Sequence, residues 1–323
     1  MGSAQTQMCS MVTRSSVWAF ARERYQRHSP VDNRINPGGF YTACWNTWDL
    51  LLNPRGIGWN WPRGFVVPNP AFETDSRVVF VLSSTVGLVF HAVAFDACVQ
   101  TIRILSPETF GSLKGGSLFD HTLPPVLELL RSVLVTFLSG ASAYFGLQYT
   151  YRFLAIVCVI LLHQHPSQWP PLFDAPWLST SLSELWGRRW HQMMRDVVLN
   201  LGGQPFNYLF GRLGGLLGAF VVSGIFHDIE LGRRGYSDIL IGFWVMNGVG
   251  VVLERVWKKA TGRSVGGTLG WTWMVGWLLC WGIPMVNVYA KVGRFGALSV
   301  VGGLEPSLAL VALVRRVLDM ASS

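Results

Sequence analysis

The sequence predicts an all-α, polytopic integral membrane protein with about seven transmembrane helices and a polar amino-terminal segment lying along the membrane surface. Three observations carry that prediction. Of 323 residues, 50% are hydrophobic and only 14% are charged, whereas average soluble domains carry roughly 25% charged residues. Uncharged runs of bilayer-spanning length recur along the chain, as in Val78 to Phe95, Ser132 to Tyr151 and Ser264 to Ala290, and such runs match a hydrocarbon core of about 30 Å. The arginines fall mostly in short connections between apolar runs, as the positive-inside tendency dictates. The net charge of +8 therefore reflects topology and an anionic ligand rather than nucleic acid.

Residues 1–77 are polar and broken by prolines and glycines, with Trp45, Trp48, Trp59 and Trp61 among Arg55, Arg63 and several asparagines. Tryptophan favours the membrane interface, so 1–77 reads as an interfacial segment that lies on the surface or, alternatively, closes over a substrate. The apolar stretch Val17 to Ala21 is too short for a cleavable signal peptide and is followed by Arg22, Glu23 and Arg24. Residues 78–323 form the helical membrane domain.

Val78 to Phe95 is the first spanning helix; it contains His91, with Asp96 as its expected partner. A loop follows over 99–124. Two helices are expected next within the apolar stretch from Val126 to Leu162, joined tightly near Gly146 to Tyr151, with an exit at His163-Gln164-His165-Pro166. After the polar connection 166–208, Leu213 to Ile229 carries Gly214, Gly215, Gly218 and Gly224, small residues that let helices approach closely in lipid. Ile239 to Leu253 is followed by the basic turn Arg255, Lys258, Lys259 and Arg263. Ser264 to Ala290 carries a stripe of Trp273, Trp277 and Trp281 that suits a packing or lipid-facing surface, and Phe295 to Val314 completes the set. Cys9, Cys44, Cys98, Cys158 and Cys280 show no CxxC spacing, which predicts reduced thiols and no structural metal.

The chemistry concentrates between Trp186 and Asp228. Trp186-Gly187-Arg188-Arg189-Trp190-His191-Gln192 is too rich in charge and aromatic surface for a lipid-facing helix. If this region is helical, Ser181 or Ser183 caps it, Glu184 favours its first turn, and Arg188, His191, Gln192 and Arg195 share one cationic face. An anionic ligand follows. Downstream, the apolar run Leu213 to His227 ends in Ser223-Gly224-Ile225-Phe226-His227-Asp228, and an ionisable residue set in membrane is a functional candidate by default.

Leu185-Trp186-Gly187-Arg188-Arg189-Trp190-His191-Gln192 with Ser223-Gly224-Ile225-Phe226-His227 resembles the wax-synthase-like branch of the membrane-bound O-acyltransferases. Trp48-Asp49-Leu50-Leu51-Leu52-Asn53-Pro54-Arg55-Gly56-Ile57-Gly58-Trp59 resembles a segment of its fungal members that acylate terpenoid and other secondary metabolites. The resemblance implies transfer of an acyl group, most simply acetyl from acetyl-CoA, to a hydroxyl of a terpenoid-like metabolite in the endoplasmic reticulum membrane. Acyl-CoA is then a co-substrate and no cofactor is held permanently. Members of the family often begin with further apolar helices, whereas none precedes Val78, so either the start is shortened or an exon has been lost from the gene model.

Esterification needs a base for the hydroxyl proton, a donor site and stabilisation of the tetrahedral oxyanion. His227 matches the family's catalytic histidine and is the expected base, the bland alternative being a hydrogen bond to a neighbouring helix. His191 stands where many relatives carry asparagine and is expected to orient the thioester or assist the oxyanion. Arg188, Arg189 and Arg195 are expected to bind the phosphates of coenzyme A, guanidinium being suited to bidentate contact; a cytoplasmic anchor is the alternative. Lys258, Lys259 and Arg263 would assist from the same side. Trp186, Trp190 and Gln192 complete the donor site, the tryptophans flanking acyl chain or nucleotide unless they are interface residues. Two enzymatic alternatives remain open, a long-chain-alcohol wax-ester synthase and a membrane terpene cyclase or prenyltransferase, the latter lacking paired Asp-rich motifs. A non-catalytic membrane protein would leave the arginine-rich loop unexplained.

Overall fold

The computed structural model describes residues 75–300 and 305–309, together with 12, 14–15, 17–18, 24–27, 39–53, 55–61, 64 and 66–68. The described chain is nearly all helical. Its main helices are α1 (Phe40–Leu52), α2 (Arg77–Leu105), α3 (Pro125–Leu161), the short α4 (Leu182–Glu184), α5 (Arg195–Leu231), α6 (Ser237–Thr261), α7 (Gly267–Lys291) and α8 (Arg294–Ala297). Five of them, α2, α3, α5, α6 and α7, are long and apolar enough to cross a membrane. The expected count of seven exceeds this by two among the described residues. The chain forms two compact units, one from 1–73 with 167–278 and the other from 74–166 with 279–323.

In the second unit, α2 and α3 pair along their length. Ser76 caps α2 by accepting from the Val79 amide, and Pro125 opens α3 at a position where its missing N–H costs nothing. The two helices expected over 132–162 are a single helix of 37 residues. The joint expected near Gly146 to Tyr151 is absent, and Arg152 is accommodated within the helix because its guanidinium lies against Gly87, where no side chain competes for the space. Asp96 does not partner His91; it accepts from Gln100 and Ser307, while His91 Nδ1 meets the Gly87 carbonyl. Ile102, Phe110, Leu118, Val135, Val286 and Phe295 form a core here, and Asn287 accepts from the Leu118 amide at 2.8 Å. The helix expected over Phe295 to Val314 is interrupted, since α8 ends at Ala297 and 298–300 are irregular. Residues 301–304 and 310–323 lie outside the described set.

In the first unit, α5 is a hairpin of two arms, 195–210 and 212–231, reversing at Gly211 with φ 69° and ψ −168°. Only glycine adopts that backbone readily. The arms touch through glycine: a Cβ at Gly202 would collide with the Gly218 carbonyl, and one at Gly215 would come within 2.7 Å of Asn207 Cβ. The small residues thus close the helix on itself. α6 packs beside the second arm, Gly224 facing Ile241 and Gly248 facing Phe220 and Leu217. Leu182, Leu185, Val251 and Met274 form the core beneath, with Trp273 and Trp277 of the tryptophan stripe packed inward against it.

The amino-terminal motif Trp48 to Trp59 is a folded turn. Asn53 bonds both ways to Ile57, Trp59 donates its indole to Asp49 at 2.7 Å, and Gly56 takes φ 63° beneath the Trp61 ring. Arg55 is buried and donates to the carbonyls of Pro170 and Pro171 at 2.9 and 2.8 Å.

Candidate functional site

The local folding of the 180s departs from a regular helix. Ser181 caps α4 by accepting from the Glu184 amide at 3.0 Å, as expected, but α4 continues only into a π turn, Leu185–Arg189. The chain then breaks at Trp190 to Met194 before α5 begins. The shared helical face expected for Arg188, His191, Gln192 and Arg195 is therefore absent. The reason is tertiary. Glu254 of α6, itself buried, accepts from the amides of Leu182 and Ser183 at 2.6 and 2.9 Å and from the Trp273 indole at 3.1 Å, pinning the start of the turn.

α6 presents one face to the whole site. Trp244, Asn247, Val251 and Glu254 recur at spacings of three and four. Trp244 stacks on His227, the ring centroids 4.6 Å apart and the planes 6° from parallel. Asn247, fully buried, accepts from the Trp186 indole at 3.0 Å. Trp186 also contacts Trp244 and Trp190, whose rings lie 5.0 and 6.0 Å away. Trp190 neighbours His191 at 5.6 Å, and Phe173 meets both. A continuous series of aromatic rings thus links the two histidines.

His227 lies near the end of α5, which Gly232 terminates in the left-handed conformation at φ 85°. Its Nδ1 is 3.4 Å from the Glu230 carboxylate. With the Nδ1 proton on the carboxylate side, an assigned tautomer, Nε2 keeps its lone pair. Asp228 points elsewhere and accepts from Ser237 at 2.7 Å. His191 is half-buried as a residue, yet its Nδ1 is shielded from solvent and lacks a hydrogen-bond partner. Burial, then the charges of His227 and Arg55, push its pKa down to about 3. His191 is accordingly neutral at physiological pH, and the two imidazoles are within electrostatic reach of each other.

The arginines differ in their freedom. Arg189 donates to Glu184 at 2.6 Å and to the carbonyl of Asp174, and its side chain is only 17% exposed. Arg188 meets Asp174 through Nε at 2.8 Å with 57% of its side chain exposed, leaving its outer nitrogens for a ligand. Arg195 Nη1 contacts the Gly187 carbonyl at 3.4 Å, and its Nε is buried without a partner. Gln192 bonds both ways to the Val66 backbone at 3.4 Å and to the Arg188 carbonyl at 3.0 Å. Lys258, Lys259 and Arg263 are exposed at the far end of α6. Arg55, Trp244, Asn247, Glu230 and Glu254 were not singled out from the sequence. Asn247 and Glu254 did carry a signal, two polar residues seven apart beside an apolar run.

The first unit thus carries two histidines joined by a series of aromatic rings, with Arg188, Arg189 and Arg195 in the same stretch of chain. Residues 169–238, which hold both histidines and the hairpin, match the family described as membrane bound O-acyl transferase. The chain is also 29% identical over 170 residues to acetyltransferase aurG of Calcarisporium arbuscula, a match covering 48% of this chain and 41% of that protein. Over 106 residues it is 37% identical to a long-chain-alcohol O-fatty-acyltransferase of Simmondsia chinensis, covering 29% of this chain and 30% of that one. Acetyltransferase ataH of Aspergillus terreus matches at 29% over 267 residues, 74% of this chain and 86% of ataH. The chain thus spans less than half the length of the first two relatives. The chain therefore resembles the membrane-bound O-acyltransferases, fungal acetyltransferases and a long-chain-alcohol O-fatty-acyltransferase being among the proteins it is similar to.

Proposed function

We propose that the protein transfers an acyl group from acyl-CoA to a hydroxyl of a hydrophobic small molecule, with acetyl as the donor group and a terpenoid-like secondary metabolite as the acceptor. The observation that carries this reading is an oriented histidine, His227 on Glu230, and a neutral, half-buried histidine, His191, at the two ends of one series of aromatic rings. His227 Nε2 removes the acceptor's hydroxyl proton as its oxygen attacks the thioester carbonyl. Neutral His191 donates to the developing oxyanion. When the tetrahedral intermediate collapses, the carbon–sulfur bond breaks, and His227 returns the proton to the departing thiolate. Ester and free CoA result.

In this reading Arg188 and Arg195 hold the CoA phosphates, while Arg189 holds the π turn in place. The wall of Trp186, Trp190 and Trp244 flanks the acyl chain or the acceptor. The amino-terminal motif closes the site from the Arg55 side and the enzyme resides in the endoplasmic reticulum membrane. A second reading, esterification of long-chain alcohols, is favoured by the 37% identity to the Simmondsia protein.

The test uses microsomes containing this chain, offered labelled acetyl-CoA and longer acyl-CoAs with a hydroxylated terpenoid and with a long-chain alcohol. Label is expected in the terpenoid ester with acetyl-CoA. Transfer confined to the fatty alcohol selects the second reading, and a folded protein that transfers nothing across the panel refutes both.

A further inference from the structure

The helix pair α2 and α3 carries a cation that acyl transfer does not use. Arg152 of α3 lays its guanidinium on Gly87 of α2 so closely that a Cβ there would lie 2.6 Å from Arg152 Cζ and 2.7 Å from Nη1. Gly87 sits midway along the uncharged run Val78 to Phe95, so the charge is placed near the centre of a stretch of hydrocarbon length. Arg152 Nε is buried without a hydrogen-bond partner. Among the described residues, the ionisable groups that act on it are Tyr144, Tyr151 and His91, none of them a carboxylate.

The surroundings are a polar pocket in an apolar seam. Ser84, Gly87 and His91 share a face of α2, and Tyr144, Gln148 and Arg152 share a face of α3. The His91 ring lies 6.2 Å from Tyr144, whose hydroxyl accepts from Gln148 at 3.1 Å. Ser84, His91 and Gln148 are buried. Towards the start of α2 and the end of α3 lies a groove of about 330 Å³ lined by Val78, Val81, Leu82, Val159 and Ile160, with Arg77 and His163 at its rim.

An uncompensated guanidinium at this depth is expensive, and such residues face a partner or a cavity. We propose that the α2–α3 seam binds the carboxylate of a free fatty acid at Arg152, with the chain running towards the apolar groove at the start of α2 and the end of α3. Guanidinium and carboxylate form two parallel bonds and cancel one charge with one charge. A phospholipid phosphate belongs at the headgroup level, well above Arg152, and a fatty alcohol gains no ion pair. The inference is independent of the acyl-transfer reading.

The full chain in detergent micelles is titrated with oleic acid and with oleyl alcohol, and oleic acid is challenged with phosphatidic acid. Oleate is expected to bind saturably and about tenfold or more tighter than the alcohol, a difference worth one charge-assisted contact. Arg152→Gln should bring oleate to the alcohol's level. Gly87→Ala, which displaces the guanidinium while keeping its charge, should weaken oleate alone and decides the matter if Arg152→Gln does not fold. Equal wild-type affinity for acid and alcohol, undiminished oleate binding in both variants, or efficient displacement by phosphatidic acid overturns the proposal.

Discussion

The imidazole of His227 lies parallel to the indole of Trp244, their centroids 4.6 Å apart and their planes within 6°. With Glu230 at Nδ1, the stack fixes two directions of the ring, its plane and its rotation within that plane. In the acyl-transfer reading proposed above, both constraints aim Nε2 at the acceptor hydroxyl. A base that is aimed loses less by diffusion out of line than one that is merely present.

His227→Ala is expected to abolish turnover while leaving membrane insertion intact. Trp244→Leu, which removes the stack but keeps the base, should lower kcat about tenfold with little change in donor KM, an effect of misalignment rather than lost binding. Steady-state kinetics with both substrates varied would show it. A wild-type rate in His227→Ala would place the base elsewhere.

His191 gives a pH prediction. Its folded pKa of about 3 lies below the ordinary value of 6.5, so the unfolded chain binds more protons than the folded one between those values. The associated stability is complete above about pH 6.5 and is lost as pH falls towards 3. His191→Asn should flatten the acid side of the melting-temperature profile while the neutral side is little changed. An unaltered acid slope would show that His191 is not the group responsible.

The arginines should separate kinetically. Arg188→Ala is expected to raise KM for the acyl-CoA more than KM for the alcohol, because its outer nitrogens face solvent. Arg189→Ala should instead lower stability and expression, leaving Glu184 without its 2.6 Å partner. Thermal unfolding beside initial-rate assays distinguishes the two, and identical behaviour of both variants would refute the division of roles.

Glu254→Ala removes the acceptor for two amides and an indole. Leaving buried donors unmet costs on the order of 1–3 kcal/mol, so a fall of several degrees in melting temperature is expected. Loss of activity should accompany it, because the turn carrying Trp186 and His191 loses its anchor. A variant with unchanged melting temperature would show that water replaces the carboxylate.

The polar and apolar runs by themselves located α2, α6 and α7, because bilayer length and composition leave a helix little choice, and the two histidine motifs named the candidate site proposed above. The Ser181 cap was legible for the same local reason, a short side chain reaching an amide three residues on. Whether 185–195 would be a helix was not decided locally: Glu254, some 70 residues away, holds the Leu182 and Ser183 amides just ahead of it, and a π turn followed by a break replaces the regular helix. Likewise the hairpin at Gly211 and the uninterrupted α3 through Arg152 depend on what the opposing backbone leaves empty. Sequence periodicity records how each residue meets its own helix. The space a partner helix vacates, and the charge it presents, exist only once the chain has folded.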